Sequence, residues 1–385
     1  MRLYVHLLVC LMVLPFMAGA QTATLRGQVF DAVSNQPLPF TNVFLTNTTR
    51  GATTQENGSF ELTGVPVGKF DLVVSYVGYQ PLRFTVQTDD NKFYRIGLTP
   101  DAQQLAAVTV RAKSRRDADW DRNVELFKKY FIGNSDNASL CRLLNPEVLY
   151  FKNTDDSLIA HADEPLLIEN RALGYHLKYF LRSYHYDHRQ HRIQFEGEVV
   201  YEPLEGTEKQ VSRWAENRRR AYRGSAMHFL RALYLNRLTE EGFVVQEIKE
   251  QPRQDGGIRR LGLPGDTTVV LPALNGKYDV TYQTLSATKL LDSLHSTPEK
   301  PVVAFEGLRQ VTYTREPESY RYIRTLPISQ KTYRARPQQT LIRMTQPRAT
   351  LERNGYVSPS MSFNYEGYWT WKLMAEELPL DYEPE

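Results

Sequence analysis

Between Leu25 and Leu98 apolar and polar residues alternate in short runs broken by turn residues, the period-two signature of half-buried strands. The runs "LRGQVFD", "TNVFLTN", "GSFELTG", "KFDLVVSYVGY", "PLRFTVQ" and "FYRIGL" carry it. In the fourth, Phe70, Leu72, Val74 and Tyr76 share one face while Val73 and Val77 take the other, which predicts a central strand covered on both sides. Asn57-Gly58 supplies the positive backbone angle of a tight hairpin turn, and Pro37, Pro39 and Pro66 mark loops or edges. Six or seven strands in about 75 residues predict a two-sheet β-sandwich.

The period then changes. "SRRDADWDRNVELFKKYFIGNS" opens as a charged linker, and Trp120, Val124, Phe127 and Phe131 recur at helical spacing before Gly133 and Asn134 end the helix. "EVLYF", "PLLIEN", "GYHLKYFLRSYHY" and "HRIQFEGEVVYEPL" return to strand. Thr207 to Gln210 has capping-box spacing, and "VSRWAENRRRAYRGSAMHFLRALYLNRL" reads as two helices broken near Gly224-Ser225. After Gly242 come "FVVQEIKE", "KYDVTYQT", "PVVAFEGLRQVTYTR", "TLIRMTQPRATLE" and "SFNYEGYW", all strand-like, and then a short helix expected from Thr370 and stopped by Pro379. The pattern divides the chain into a β-sandwich over 21–112 and a β-rich α+β domain over 113–385. The fold class is mainly β.

The first twenty residues change this picture at one end. Arg2, the apolar run Leu3 to Met17 and the small residues Ala18-Gly19-Ala20 read as a secretory signal peptide over 1–20, with a retained anchor as the alternative. Cys10 lies inside that run behind Val9, so a lipidated cysteine at the new N-terminus is not expected. The mature chain carries no other apolar run long enough to span a bilayer. Cys141 is then the only thiol, so no internal disulfide forms and the fold stands on its cores. In "ASLCRLLNPEVL" it reads as a buried structural thiol. With 41% hydrophobic residues the chain can bury sizeable cores. The formal charge of +3 makes no call for nucleic acid, and export argues against it.

"GQVFDAVSNQPLPFTNVFLTNTTRGATTQENGSFELTGVPVGKFDLVVSYVGYQP" resembles the carboxypeptidase-regulatory-like domain, a transthyretin-like sandwich common in exported proteins of Bacteroidota. Gly27, Pro37-Leu38, Asn42-Val43, Gly51 with Thr53-Thr54, Asn57-Gly58 with Phe60, Val65-Pro66 with Gly68, and Ser75 to Tyr79 carry the likeness. "LAAVTVRA", Leu105 to Ala112, resembles the strand that follows this domain in many relatives, and Cys141 to Leu204 resembles uncharacterised exported proteins. The resemblance implies a sandwich and an envelope address, periplasmic or outer-membrane associated. It implies no reaction, because the domain contributes no catalytic residue to the carboxypeptidases that named it. The roughly 270 remaining residues are too few for a receptor plug and barrel.

Four patterns invite chemical readings. "SYHYDHRQHRIQFEG" holds His185, His188 and His191 within seven residues, and with Asp187 they would be the ligands of any bound metal. A hairpin explains the spacing without one, and Arg189 and Arg192 oppose a cation, so no metal ligand is assigned. His161 and Glu164 have the zinc-carboxypeptidase spacing with His295 downstream, but Pro165 follows at once and Asn170-Arg171 come too soon for the substrate pair. An exposed strand end and loop is the plainer reading. Thr207 to Arg237 holds eight basic and two acidic residues, a solvated face or a dock for an acidic surface, with the tail Ala375 to Glu385 as a possible internal partner. Finally, Asp156-Ser157-Leu158, Asp266-Thr267-Thr268 and Asp292-Ser293-Leu294 resemble an O-glycan acceptor pattern of exported Bacteroidota proteins.

No phosphate loop, nucleophile elbow or sequence repeat stands out, so no catalytic or cofactor-binding residue and no cofactor is expected. The leading expectation is a non-enzymatic envelope interaction or structural protein whose partner is an envelope protein, a lipid headgroup or a polysaccharide. The alternatives are an envelope hydrolase acting on peptide or glycan from a site in the C-terminal domain, and a glycan-binding protein that stacks sugars on Trp369 and Trp371.

Overall fold

The computed structural model describes residues 22–101, 118–189, 192–252, 278–326 and 335–384. The leader, the Leu105 to Ala112 strand, the start of the linker, His191 and Asp266-Thr267-Thr268 lie outside them.

Seven strands build the sandwich: β1 (Thr22–Asp31), β2 (Asn42–Leu45), β3 (Gly51–Thr53), β4 (Ser59–Pro66), β5 (Lys69–Ser75), β6 (Leu82–Gln87) and β7 (Phe93–Leu98). One sheet runs β4-β1-β7 and the other β3-β2-β5-β6. Alternation sends Leu25, Val29, Leu62, Phe70, Leu72, Val74, Ile96 and Leu98 into the shared core. The Asn57-Gly58 turn has Gly58 at φ 75°, and a Cβ there would stand 2.4 Å from the Val29 carbonyl oxygen.

Strand β5 is central, paired with β2 and β6, as its two-sided apolar pattern predicts. Its second face is covered by the rest of the chain: Val73 packs with Phe44 against Val200 and Phe180. Val77 does not share that face. It lies in the turn beyond the strand and is 92% exposed, because the strand ends at Ser75 and alternation stops with it.

The next layer is a six-stranded sheet of β8 (Cys141–Leu143), β9 (Leu149–Asn153), β10 (Ser157–Ala162), β11 (Leu166–Asn170), β12 (Tyr175–Asp187) and β13 (Arg192–Pro203). Strand β12 organises it. Its first half pairs with β11, its last residues pair with β10, and β13 lines its whole length as a long hairpin. Helix α1 (Ala118–Phe131) lays its apolar stripe on this sheet: Phe127 stacks on Phe131 at 4.8 Å and meets Tyr184 at 4.6 Å.

Two helices lead to a second sheet. Thr207 and Gln210 close the predicted capping box on α2 (Glu208–Tyr222), and the Ser225 hydroxyl caps α3 (Ala226–Tyr234) by accepting from the His228 N–H. The second sheet contains β14 (Phe243–Pro252), β15 (Tyr278–Leu285), β17 (Leu308–Pro317), β18 (Pro337–Met344) and β21 (Phe363–Gly367), in the order β15-β14-β17-β18-β21. A small sheet of β16 (Val302–Val303), β19 (Ala349–Leu351) and β20 (Val357–Ser358) sits beside it. Phe229, Leu230 and Leu233 of α3 pack with Phe243, Val311 and Ile342 in a separate core.

Short helices complete the chain, α4 (Tyr320–Thr325) and α5 (Tyr368–Lys372). The C-terminal helix thus starts two residues before Thr370 and ends well before Pro379. Leu373 ends it, adopting φ 39°. That backbone is uncommon for a leucine and breaks the helical run directly.

Candidate functional site

The sequence candidates are not brought together. On β12, Tyr184 and Tyr186 point into the core, so alternation leaves His185 exposed on the reverse face. His188 sits in the hairpin turn with its Nε2 3.1 Å from the Asn153 side-chain oxygen. His161 is exposed at the end of β10 and Glu164 is exposed in the turn that follows, as the plainer reading expected. His295 is in a different layer, bonded at 2.8 Å to Asp292, whose carboxyl is held down to about 2 by that bond and by Arg348. Among the described residues no group of three metal-ligating side chains converges. The Cys141 thiol is half-buried and is pushed up to about 12, mainly by burial, which suits a structural thiol. Ser157 is half-buried on β10, whereas Ser293 is exposed in a turn.

The basic stretch is largely committed within the fold. Arg220 pairs with Glu216, Arg223 with Glu316 at 3.6 Å and Arg237 with Glu240 at 3.6 Å. Arg218 donates to the Leu173 carbonyl at 2.9 Å. The expectation that every arginine stays solvated while apolar residues face the core fails at Arg231, which is 6% exposed. It lies one helical turn beyond Met227 and so points inward with it. The acidic tail is indeed an internal partner, but through its backbone: Arg231 donates to the carbonyls of Leu380 and Tyr382. The Asp381 carboxylate instead reaches the sandwich, at Thr49 and at Arg50, 3.1 Å away.

These tail contacts create a concave site that sequence reasoning missed. The Leu373 backbone turns the chain out of α5; the Ala375 N–H then donates to the Ile132 carbonyl at 3.0 Å, and Asn170 donates to the Ala375 carbonyl at 3.1 Å. Further on, the Leu380 N–H donates to the Asn47 carbonyl at 2.6 Å. The tail is thereby stretched across all the layers. Beside it opens a cleft of about 430 Å³, within the size range of small-molecule pockets. Phe195, Met227, Leu230, Tyr356, Tyr365 and Trp369 form its largely apolar walls, and Lys372, Glu376 and Glu377 bring charge to it.

Two of the three charged groups are satisfied. Lys372 donates to the Arg223 carbonyl at 3.3 Å and stands over the Tyr368 ring; burial pushes its ammonium below the usual range. Glu376 accepts from Asn137 at 3.0 Å, and burial raises its carboxyl against the pull of Lys372. The Glu377 carboxyl makes no hydrogen bond or ion pair among the described residues. The residue is exposed at the edge of the cleft, and the packing on its other side pushes its carboxyl up to about 7. The nearby phenols of Tyr179 and Tyr201 feel its charge and are themselves pushed up, chiefly by burial.

An isolated acid of this kind costs stability, with a definite sign. Between its ordinary 4.5 in the unfolded chain and about 7 in the folded one, the folded chain binds the proton more tightly, so stability falls as pH rises through that window. Glu377→Gln is therefore expected to melt above the parent at pH 8 and level with it near pH 4.5, in scanning calorimetry across that range.

Trp369 and Trp371 are not free stacking surfaces. Trp369 donates to the Gly224 carbonyl at 2.7 Å and meets the Tyr365 ring at 5.3 Å, while Trp371 meets Tyr322 at 5.8 Å.

Residues 25–110 match the model of the CarboxypepD_reg-like domain, so the N-terminal sandwich belongs with that family, as the residues from Gly27 to Tyr79 indicated. No curated protein matches the chain. Among solved structures, a cohesin–X-dockerin complex from Acetivibrio cellulolyticus is 20% identical over 20% of this chain and 58% of its own, with a TM-score of 0.19. Catechol 1,2-dioxygenase from Acinetobacter sp. ADP1 is 13% identical over 23% of this chain and 56% of its own, TM-score 0.20. The chain thus spans just over half the length of either. A protein of unknown function from Bacteroides fragilis is 10% identical over 90% of this chain and 93% of its own, TM-score 0.17. Likenesses this distant carry no argument about ligand or chemistry.

Proposed function

We propose that the chain is an exported, non-enzymatic binding protein of the cell envelope, with the sandwich as a fixed platform and the cleft beside the C-terminal tail as its ligand site. The observation that carries this reading is the cleft itself, about 430 Å³ with largely apolar walls and the charged groups of Lys372, Glu376 and Glu377 at it. The sandwich supports the site by closing one end of it through Asn47, and the leader-like first twenty residues support the envelope address.

Native mass spectrometry of the full chain, purified from an envelope fraction, tests this. A bound small molecule present in the parent and missing from Ala226→Trp, which fills the cleft from its α3 wall, is the expected result. A chain that emerges ligand-free, or one that hydrolyses peptide or glycan, overturns it.

A further inference from the structure

We propose that one end of the sandwich, formed by the β1–β2 loop and the β5–β6 turn, docks a second protein that offers an uncharged, concave apolar pocket for the Phe40 ring. This surface lies apart from the cleft and does not depend on it.

Three large apolar side chains stand in water there: Val33 is 77% exposed, Phe40 67% and Val77 92%. The pairing of the strands brings them together. Asn42 on β2 is opposite Ser75 on β5, so Phe40 and Val77 each lie two residues beyond the last pair of that ladder. The Asp31 carboxylate accepts from the Val33 N–H at 2.7 Å and from the Tyr79 hydroxyl at 2.7 Å, which fastens the β1–β2 loop to the β5–β6 turn.

Phe40 is held outward against its own backbone preference. Its φ of 58° lies in the left-handed region that bulky residues avoid. Hydrogen bonds impose it: the Phe40 N–H donates to the Thr54 carbonyl at 2.9 Å, and the Thr54 hydroxyl donates to the Leu38 carbonyl at 2.6 Å while accepting from the Thr41 N–H at 2.8 Å. Strain that leaves an aromatic ring in water adds nothing to the sandwich core, and strained residues of this kind cluster at functional positions.

The chemistry of the partner follows from what the loops lack. Residues 32–41 and 76–81 include no charged side chain, in a chain that is 24% charged. Apolar tips without charge and with an aromatic among them have the composition of the centre of a protein interface. An anionic headgroup layer would call for lysines and arginines instead. A second copy fits poorly, because a side chain 92% exposed has almost no neighbours on its own chain. The surface is therefore convex, and two convex ends cannot enclose each other's tips.

Two measurements on the full chain test the assignment. Phe40→Gly removes the ring and suits the left-handed backbone, so it is expected to melt at or above the parent. A melting point several degrees lower would show that the ring stabilises its own chain, and would overturn the proposal. The second measurement places a photoreactive benzophenone amino acid at position 40, 77 or 93 in cells that produce the protein. Phe93 is the control, 65% exposed at the opposite end of β7, where it pairs with Arg26. One protein should be captured from positions 40 and 77 and not from 93; once purified, it should bind the parent at least about tenfold tighter than Phe40→Ser in calorimetry, the value of one aromatic anchor. Equal capture from position 93, capture of lipid alone or of a second copy of the chain, no capture, or a partner that binds Phe40→Ser as tightly as the parent would each overturn it.

Discussion

Arg231→Ala is expected to destabilise the chain by about 3–5 kcal/mol, from three charge-assisted hydrogen bonds at roughly 1.5–3 kcal/mol each, reduced where water reaches the freed carbonyls. The Arg231 Nε donates to the Asn354 carbonyl at 3.0 Å, and its two terminal nitrogens donate to Tyr382 at 2.8 Å and Leu380 at 3.0 Å. Its guanidinium also lies over the Tyr222 ring. One planar fork therefore ties helix α3, the turn after β19 and the C-terminal tail. Lysine has the charge but not the fork, so Arg231→Lys should recover part of the loss and not all of it. Urea unfolding gives the magnitude. Hydrogen exchange locates it: the amides of residues 375–384 should lose protection in the alanine variant more than those of the sandwich. Unchanged exchange in the tail would mean that the other anchors, at Asn47 and Asn170, hold it alone. Because Glu377 rides on this tail, the same variant should also weaken any ligand held in the cleft.

What could be read from the sequence follows the range of the interactions. Strand alternation and helical spacing are local, and they placed β1, β4, β5, β12, β13, α1, α2 and α3 within a few residues. Elements too short to show a period escaped: β3 has three residues and α4 has six. Strand β10, "SLIAHA", was hidden differently, because only Leu158 and Ala160 of its buried face are apolar enough to mark it. The histidine hairpin was legible as a hairpin. The cleft was not, because its walls come from Asn47, Phe195, Met227, Tyr356 and the tail, and no local pattern couples positions so far apart. Glu377 shows the limit well. In "AEELPL" it is indistinguishable from Glu376, yet one carboxyl is hydrogen-bonded and the other is alone. Arg231 left a usable signal, its i,i+4 relation to Met227, which the density of neighbouring arginines masked.

Phe44→Ala is expected to split the unfolding of the chain into two transitions. Phe44 is 7% exposed, but its ring lies outside the sandwich core, stacked on Phe180 of β12 at 5.4 Å with Val73 and Val200 around it. Truncating a buried phenylalanine costs about 3–5 kcal/mol, and here the loss falls on the seam between the sandwich and the six-stranded sheet. The polar seam contacts remain: the Asn47 N–H on the Val199 carbonyl at 2.7 Å, the Tyr201 N–H on the Thr48 carbonyl at 3.1 Å, and Glu198 accepting from Arg83 and, at 2.6 Å, from Arg182. The arginine ends of the ion pairs are open to water and each backbone bond contributes only about 1 kcal/mol net, so together they should not hold the layers as one unit once the ring is gone. Phe60→Ala provides the contrast, because Phe60 is inside the sandwich core and its loss should lower the sandwich without freeing the seam. Calorimetry separates the cases: two resolved peaks for Phe44→Ala, and for Phe60→Ala a lowered sandwich transition with the seam still protected from proteolysis. A single peak merely shifted in Phe44→Ala would show that the tail strap, through Asp381 on Thr49 and Leu380 on Asn47, is enough to couple the layers. In the split case the cleft should lose affinity as well, since Asn47 would no longer close its end.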